Sequence, residues 1–285
     1  MNNIILGLML ILIAPMAVAT QCEDLAEPKH FNSDTAMEAI FCKYNREHGG
    51  TLLPLKNTAQ WNAKNATILA TPILAVTYRE NGEHKGVLAV QRQQMLEETG
   101  EPVISHAQSA IISVYVFKYN GSRWVFEKGK MEVSDAGSYG SAPDGKLVKL
   151  GPEKYGLWFE GSYTGQGYSN DFAFIINLSA KKVLETGNFD TGQSNEGACV
   201  DDKACWGYEG KPEFIAVPDF TYYMLRIAYQ GTEVAKISDD KIVSKNNRLC
   251  YVYAGDKYVE TKDKNCANYK ALSIHNIFGI EDKAR

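Results

Sequence analysis

Apolar and polar residues alternate along most of this chain beyond about residue 68, with the period of two that places every second side chain on one face of a β-strand. Segments 110–119 and 172–178 are rich in β-branched and aromatic residues, which favour strands. Turn signals separate such segments; Asn120-Gly121, for example, tolerates the positive φ values of a tight hairpin turn. The pattern predicts a mainly β fold of antiparallel sheets, with sandwich-like layers favoured over a closed barrel.

A single helical pattern precedes the strands. Thr35 and Glu38 have the spacing of a capping box, in which each side chain satisfies a backbone donor of the other residue. Apolar residues recur on one helical face between Ala36 and Tyr44, and Gly49 then allows the chain to leave the helix. We therefore expect one N-terminal α-helix.

The segment 1–19 predicts export. Residues 4–18 are uncharged and apolar or small, and the Ala-Val-Ala sequence at 17–19 offers the small-x-small pattern that a signal peptidase cleaves. The apolar segment is shorter than the roughly 20 residues of a membrane span. Because residues 1–3 carry no Lys or Arg, an uncleaved anchor is the alternative, whereas lipidation of Cys22 is disfavoured by the bulky Gln21 before it.

The chain divides by pattern into a signal peptide over 1–19, an N-terminal helical segment over 20–60 and a β-rich domain over 61–285. The last segment is either one unit or two β layers or subdomains that divide near 195–215. No later segment is long and apolar enough to span a membrane. We expect a periplasmic or secreted protein without a membrane span in its mature chain.

All six cysteines lie beyond the predicted cleavage site, and an even number in an exported chain indicates disulfides. Proximity along the chain favours three local pairs among the fifteen possible pairings. These pairs are Cys22–Cys42, Cys199–Cys205 and Cys250–Cys266. Zinc is the alternative for the middle pair, but its cysteines lie too far apart in the chain and no paired histidines follow.

Charge narrows the classes of partner. The chain has 30 Lys and Arg against 34 Asp and Glu, a formal net charge of −4, and no block of basic residues. A nucleic-acid partner requires a basic face. We expect no nucleic-acid partner and no cofactor, and instead another envelope protein or a cell-wall component.

Glycine and aromatic residues interleave between residues 135 and 170. Glycine lets backbones bend and approach one another closely, and aromatic side chains supply flat apolar surface. The segment predicts a binding face, and the candidate binding residues are Tyr139, Trp158, Tyr163 and Tyr168. The alternative is a tightly turned, strongly twisted sheet in which these aromatic residues only pack.

A run of short motifs extends from this segment toward the middle cysteine pair. The motifs are Gly137-Ser138-Tyr139-Gly140-Ser141-Ala142-Pro143, Lys149-Leu150-Gly151, Tyr155-Gly156, Gln166-Gly167-Tyr168, Asn195-Glu196-Gly197-Ala198-Cys199 and Cys205. Together they resemble a group of uncharacterised exported proteins of proteobacteria. The resemblance implies a Gram-negative, periplasmic setting, and it brings no activity, cofactor or catalytic residue.

An acidic loop over 190–202 is the best candidate for a metal site. Its oxygen-bearing side chains suit the six to eight oxygen ligands of Ca²⁺, and the candidate ligands are Asp190, Glu196 and Asp201. The loop departs from an EF-hand, since Gly192 and Ser194 occupy its third and fifth positions. A disulfide-held surface loop without a metal is the alternative.

The sequence assigns no catalytic residue. None of the five histidines has the spacing of a helix-borne metal site. Ser179 and Ser238 begin Ser-x-x-Lys matches, but both lie at predicted turns and no Lys-Thr-Gly accompanies them. Glu160 and Asp171 flank the aromatic segment and are the carboxylates to consider for hydrolysis of a glycan or peptide.

These observations favour a non-enzymatic binding or protein-interaction protein of the periplasm. One alternative is an inhibitor or immunity protein that blocks an envelope-acting toxin or hydrolase. The other is a hydrolase of glycans or peptides, whose catalytic carboxylates only the fold brings together.

Overall fold

The structure is a computed structural model, and it describes residues 27–42, 44–45, 49–54, 67–96, 99–199, 205–235, 241–272 and 277. The predicted signal peptide over 1–19 lies outside these ranges, as do Cys22 and Asp201. No helix among the described residues is long and apolar enough to cross a membrane.

Strands make up most of the described chain. In chain order the elements are α1 (Ser33–Phe41), β1 (Thr51–Pro54), β2 (Thr67–Glu80), β3 (Glu83–Met95), β4 (Ala110–Tyr119), β5 (Trp124–Ala136), β6 (Gly145–Gly151), β7 (Lys154–Gly165), β8 (Tyr168–Asn177), β9 (Leu184–Ser194), β10 (Gly207–Ile215), β11 (Met224–Val234), β12 (Ile242–Ser244), β13 (Arg248–Ala254), β14 (Lys257–Thr261) and a 3-10 helix (Lys264–Asn268).

The strands form two antiparallel sheets. β1 to β5 make a five-stranded sheet in sequence order, and the nine-stranded sheet has the order β14-β13-β11-β10-β9-β8-β7-β6, with β12 paired to β11. The predicted mainly β fold with one N-terminal helix is confirmed. β9 and β10 pair directly, with Gly207 opposite Ser194, so the second sheet continues through the segment 195–215.

The N-cap residue of the helix is Asn32, and the helix begins at Ser33. The capping box therefore joins Asn32 and Thr35, and not Thr35 and Glu38 as the sequence suggested. The Asn32 side chain accepts a hydrogen bond from the Thr35 backbone N–H at 2.9 Å, and the Thr35 hydroxyl accepts one from the Asn32 N–H at 3.2 Å. The helix ends at Phe41, because Cys42 adopts the left-handed conformation well before Gly49.

α1 covers the outer face of the first sheet. Its buried residues Met37 and Phe41 pack in one cluster with Leu88, Tyr115 and Phe117 of the sheet. The ring of Phe41 meets that of Tyr115 edge-on, with centroids 5.8 Å apart. The helix therefore buries one face of the first sheet and leaves its other face for the second sheet.

The main core lies between the two sheets. Val87 and Val114 of the first sheet and Leu157 and Phe174 of the second are buried in it. Phe159 stacks on Phe174, with ring centroids 4.8 Å apart. Because alternate residues of each strand point into this layer, the sheets form the predicted sandwich-like arrangement.

The nine-stranded sheet folds back on itself around a second core. Trp158 and Phe189 come from one half of the sheet and share this core with Tyr258 from the other half. The two halves also approach at the backbone, since the N–H of Tyr223, directly before β11, donates a hydrogen bond at 2.6 Å to the carbonyl of Leu150 on the edge strand β6. The loop before β10 lies beside the β7–β8 hairpin because β9 pairs with β8 as far as Ser194, opposite Ser169.

Two of the three predicted disulfides are confirmed. Cys199 is bonded to Cys205, with Cα atoms 5.2 Å apart, and Cys250 is bonded to Cys266, with Cα atoms 6.5 Å apart. The third predicted pair, Cys22–Cys42, involves Cys22, which lies outside the described residues.

Candidate functional site

The β7–β8 hairpin positions most of the residues that the sequence singled out. Its turn has positive φ at both central residues, Gln166 (53°) and Gly167 (82°), as in a type I′ turn. A Cβ at Gly167 would lie 2.4 Å from the backbone of Gly197, so only glycine allows the turn to contact the loop after β9. The hairpin tip is thereby fixed against that loop.

The two faces of this hairpin carry different chemistry. Tyr163 pairs with Asn170, and the next pair along the ladder is Ser162 with Asp171. Because side chains alternate across a strand, Tyr163 and Asp171 lie on opposite faces. The hairpin therefore contributes to two separate surfaces.

The first surface is built from three rings. Tyr139 and Tyr163 are 50% and 40% exposed, and His106 contacts both of them, with ring centroid distances of 5.2 and 4.8 Å. We call these three residues the tyrosine surface. Tyr168, also 50% exposed, lies on the same face of the hairpin as Tyr163, at the turn. The structure thus brings together Tyr139 and Tyr163, and it adds His106, which no pattern in the sequence singled out.

A tight turn holds Tyr139 in the left-handed region, with φ of 53°. The N–H of Ser141 donates to the carbonyl of Ser138 at 3.0 Å, and the N–H of Gly140 donates to the carbonyl of Gln108 at 2.8 Å. Such a conformation is an outlier for a bulky residue and costs of the order of 1–3 kcal/mol. The surrounding hydrogen bonds impose it and aim Tyr139 outward beside His106.

Trp158, predicted to share this surface, is instead a core residue. Its side chain is 1% exposed, stacks on Phe189 at 6.2 Å and meets Phe214 edge-on at 5.9 Å. It belongs to the second core because its position on β7 places it on the face opposite Tyr163. An indole in this position is not available to a partner.

The second surface is a cleft of about 470 Å³ on the other side of the hairpin. Its floor is formed by two rows of residues that lie side by side across neighbouring strands. The first row is Asp171, Gly192, Glu209 and Gln230, and the second is Ser169, Ser194 and Gly207. We call the site that these rows form, together with Glu196, Trp206 and Thr232 of its walls, the polar cleft.

The wall of the polar cleft is fixed by Asn195. This buried residue accepts a hydrogen bond from the N–H of Trp206 on its side-chain oxygen at 2.7 Å, and its own N–H donates to the Trp206 carbonyl at 3.0 Å. The Cys199–Cys205 disulfide closes the same loop. The two ends of the loop are thus held together, which fixes the positions of Glu196 at its start and Trp206 at its end.

The polar cleft is acidic. Among the described residues, its lining includes the carboxylates of Asp171, Glu196 and Glu209, and no Lys, Arg or His side chain. Within the described part of the chain, none of the three forms an ion pair. The cleft therefore disfavours anions.

The calcium prediction stays a prediction, because Asp201 lies outside the described residues. Both carboxylate oxygens of Asp190 accept hydrogen bonds, one from the N–H of Gly192 at 3.0 Å and one from the Tyr208 hydroxyl at 2.7 Å. Burial, with the hydrogen bond to Asp190, raises the pKa of Tyr208. Glu196 lines the cleft, whereas Asp190 does not. The described residues contain no group of three His, Cys, Asp or Glu arranged to hold a metal ion.

The two carboxylates considered for hydrolysis have different surroundings. Asp171 lines the polar cleft, but Glu160 does not. The Glu160 carboxylate instead accepts a hydrogen bond from the Lys146 ammonium at 3.1 Å.

Ser179, which begins a Ser-x-x-Lys match, donates a hydrogen bond to Glu80 and accepts one from the N–H of Tyr155 at 2.8 Å. Its contacts are those of a residue that joins the two sheets.

The residues that complete both surfaces come from distant parts of the chain. His106 precedes β4, and Glu209 and Gln230 lie on β10 and β11. Of these added residues, only Trp206 could have been selected from the sequence, because it directly follows Cys205 of a predicted disulfide.

No protein-family model matches the chain, and no curated protein or solved structure matches it either.

Proposed function

We propose that this chain is an exported, non-enzymatic binding protein of the Gram-negative periplasm, and that it binds another envelope protein through the tyrosine surface. The leader-like segment 1–19 and the resemblance to exported proteobacterial proteins support the location. The disulfides suit an oxidising compartment.

The observation that carries the proposal is the conformation of Tyr139. Its backbone is in the left-handed region, and yet half of its side chain is exposed rather than buried in a core. Backbone strain that does not bury the side chain of the strained residue is typical of a functional position. Tyrosine is also among the side chains most enriched at the energetic centres of protein interfaces.

The neighbouring rings make this a preorganised surface. His106 contacts both Tyr139 and Tyr163, so the rings support one another before any partner arrives. Side chains that are already ordered lose less conformational entropy on binding. Tyr168 extends the same face of the hairpin toward the turn.

The test is capture of a partner from an envelope extract by the purified chain, compared with a Tyr139→Ala/Tyr163→Ala variant. We expect the double variant to lose the captured protein while its melting temperature stays close to that of the parent. Phe220→Ala is the matched control, because Phe220 is 46% exposed and aromatic but lies between β10 and β11. Capture that is equal in the parent and the double variant would overturn the proposal.

A second measurement separates passive binding from inhibition. The captured protein, once purified, is titrated with the chain, and any enzymatic activity of that protein is followed in parallel. Binding without loss of activity supports a simple interaction protein, and loss of activity at equal stoichiometry supports an inhibitor that acts through the same surface.

A further inference from the structure

The floor of the polar cleft is a trough of glycines and short polar residues. Gly192 lies between Asp171 and Glu209 in the first row, and Gly207 follows Ser194 in the second. Gly192 on β9 and Gly207 on β10 therefore leave two diagonally adjacent positions of the floor without a side chain. The side chains of the remaining residues in the two rows border the open channel that results.

Gly192 also lets the carboxylate of Asp171 extend over β9. A Cβ at this position would lie 2.7 Å from Asp171 Oδ2 and would displace that carboxylate. At Gly207 a Cβ would lie 3.0 Å from the Cβ of Ser194. Both glycines thus keep space where larger residues would close the trough. Across the four strands, the floor spans about 14 Å at the spacing of a β-sheet.

The groups around the trough both donate and accept hydrogen bonds. Asp171 and Glu209 only accept, whereas the side-chain amide of Gln230 does both. Ser169 and Ser194 have hydroxyl oxygens 3.0 Å apart, so one of the two protons remains free for a ligand. No hydrogen bond within the described chain occupies the Gln230 side chain.

We propose that the polar cleft binds a neutral, linear glycan. A sugar hydroxyl donates one hydrogen bond and accepts others, so neighbouring hydroxyls can serve the carboxylates and the amide together. Trp206 lines the cleft, and its indole supplies apolar aromatic surface for the C–H groups of a pyranose. The volume of about 470 Å³ lies within the usual range for ligand sites.

A cationic ligand fits this donor pattern less well. An ammonium group satisfies the carboxylates of Asp171, Glu196 and Glu209, but it offers no acceptor to the amide N–H groups of Gln230. An anionic ligand is repelled by the same three carboxylates. The neutral polyol is the class that satisfies every group on the floor.

The test is binding of chitotetraose, cellotetraose and maltotetraose to the purified full chain, measured by titration calorimetry and by tryptophan fluorescence. We expect at least one of the three to bind and to change the indole emission. In Trp206→Phe, the emission change should disappear while calorimetric binding persists. Gln230→Ala should weaken binding by about tenfold, and Gly207→Val should abolish it by filling the trough.

The matched control is Thr164→Ala. Thr164 is exposed and pairs with Ser169 in the ladder, but it does not line the cleft, so this variant should bind as the parent does. Gln230→Ala changes an exposed side chain only, so the test does not depend on whether Gly207→Val folds. Tyr139→Ala/Tyr163→Ala should leave glycan binding unchanged, which separates this inference from the proposed protein partner.

Two results would overturn the inference. The first is the absence of binding by all three tetrasaccharides at millimolar concentration. The second is binding of tetralysine instead, with its loss in Glu209→Gln, which would identify a site for cations.

Discussion

Tyr163 and Asp171 lie one ladder step apart on the β7–β8 hairpin and face opposite sides of it. Tyr163 contacts His106 from the loop before β4, whereas Asp171 lines the cleft beside β9 and β10. One hairpin thus supports two surfaces that share no side chain. Substitutions on one face are therefore expected to leave binding at the other face unchanged.

Gly137 is expected to be essential for the turn that presents Tyr139. Its φ is +89°, and a Cβ there would lie 1.8 Å from the carbonyl oxygen of Ser141. Gly137→Ala should lower the free energy of unfolding by about 3 kcal/mol or more, because strain and a backbone clash combine. Denaturant unfolding measures this loss.

Gly82 provides the control for that prediction. Its φ is +80°, but a Cβ there would meet no atom within 4 Å. Gly82→Ala should cost only the conformational strain, about 1 kcal/mol. Equal losses in the two variants would show that the contact with Ser141 is not what fixes the turn.

Arg226 is expected to hold the segment after β14 against the sheet. Its Nη1 donates to the carbonyls of Cys266, Ala267 and Tyr269 at 2.9 to 3.2 Å, and its Nε donates to Glu213 at 2.8 Å. Arg226→Ala should lower stability by about 3 kcal/mol, because it leaves three carbonyls without their donor and the partly exposed Glu213 without its partner.

The matched variant is Arg248→Ala, which removes an exposed arginine from β13 and should change stability by about 0.5 kcal/mol or less. Hydrogen exchange of the amides over 264–272 should accelerate in Arg226→Ala alone. Unchanged exchange there would contradict the anchoring role.

The two disulfides are expected to contribute unequally to stability. Cys199 and Cys205 are 6 residues apart, and Cys250 and Cys266 are 16 apart. Loop-closure entropy gives about 2 kcal/mol for the first bond and about 3 kcal/mol for the second. Paired Cys→Ser variants, compared by denaturant unfolding, test this order, and a larger loss for the shorter loop would contradict it.

Stability is expected to fall in alkaline solution. Burial first, and then neighbouring groups that include Tyr222, raise the pKa of Tyr253 to about 12 from its ordinary 10.0. Burial and the charge of Glu80 also raise the pKa of Tyr78. The folded state therefore holds these protons more tightly than the unfolded state does. The contribution of these tyrosines to the free energy of unfolding is therefore fully present below about pH 10, and it is lost as the pH rises toward 12.

Tyr78→Phe and Tyr253→Phe should both reduce this alkaline loss, but they should differ at neutral pH. The Tyr78 hydroxyl is buried and has no hydrogen-bond partner among the described residues, so its removal should cost almost nothing. The Tyr253 hydroxyl accepts a hydrogen bond from Asn177 at 3.0 Å, so its removal should cost about 1 kcal/mol. Equal costs at neutral pH would contradict this difference.

Periodicity and chain proximity were enough to predict the strands and two disulfides. The period of two defines which face of each strand is buried, and both confirmed cysteine pairs are local. The helix start was misplaced because Thr35 is the third residue of the helix, and Asn32 supplies the cap. Short capping patterns overlap within one turn, so the sequence alone did not separate them.

The surfaces were only partly predictable. Tyr139 and Tyr163 were selected by composition, but composition does not report the face of a strand, and Trp158 therefore appeared among them. His106 and Glu209 reach the two surfaces through pairing and packing across distant strands. Such long-range register leaves no local pattern in the sequence.

The most direct test of the tyrosine surface is photo-crosslinking in living cells. A photoreactive amino acid replaces Tyr163 in one strain and Phe220 in another, two aromatic positions of similar exposure. We expect a discrete adduct with an envelope protein from position 163 and none from position 220. An adduct from position 220 alone, or no adduct from position 163 when the chain is present at its normal level, would contradict binding through the tyrosine surface.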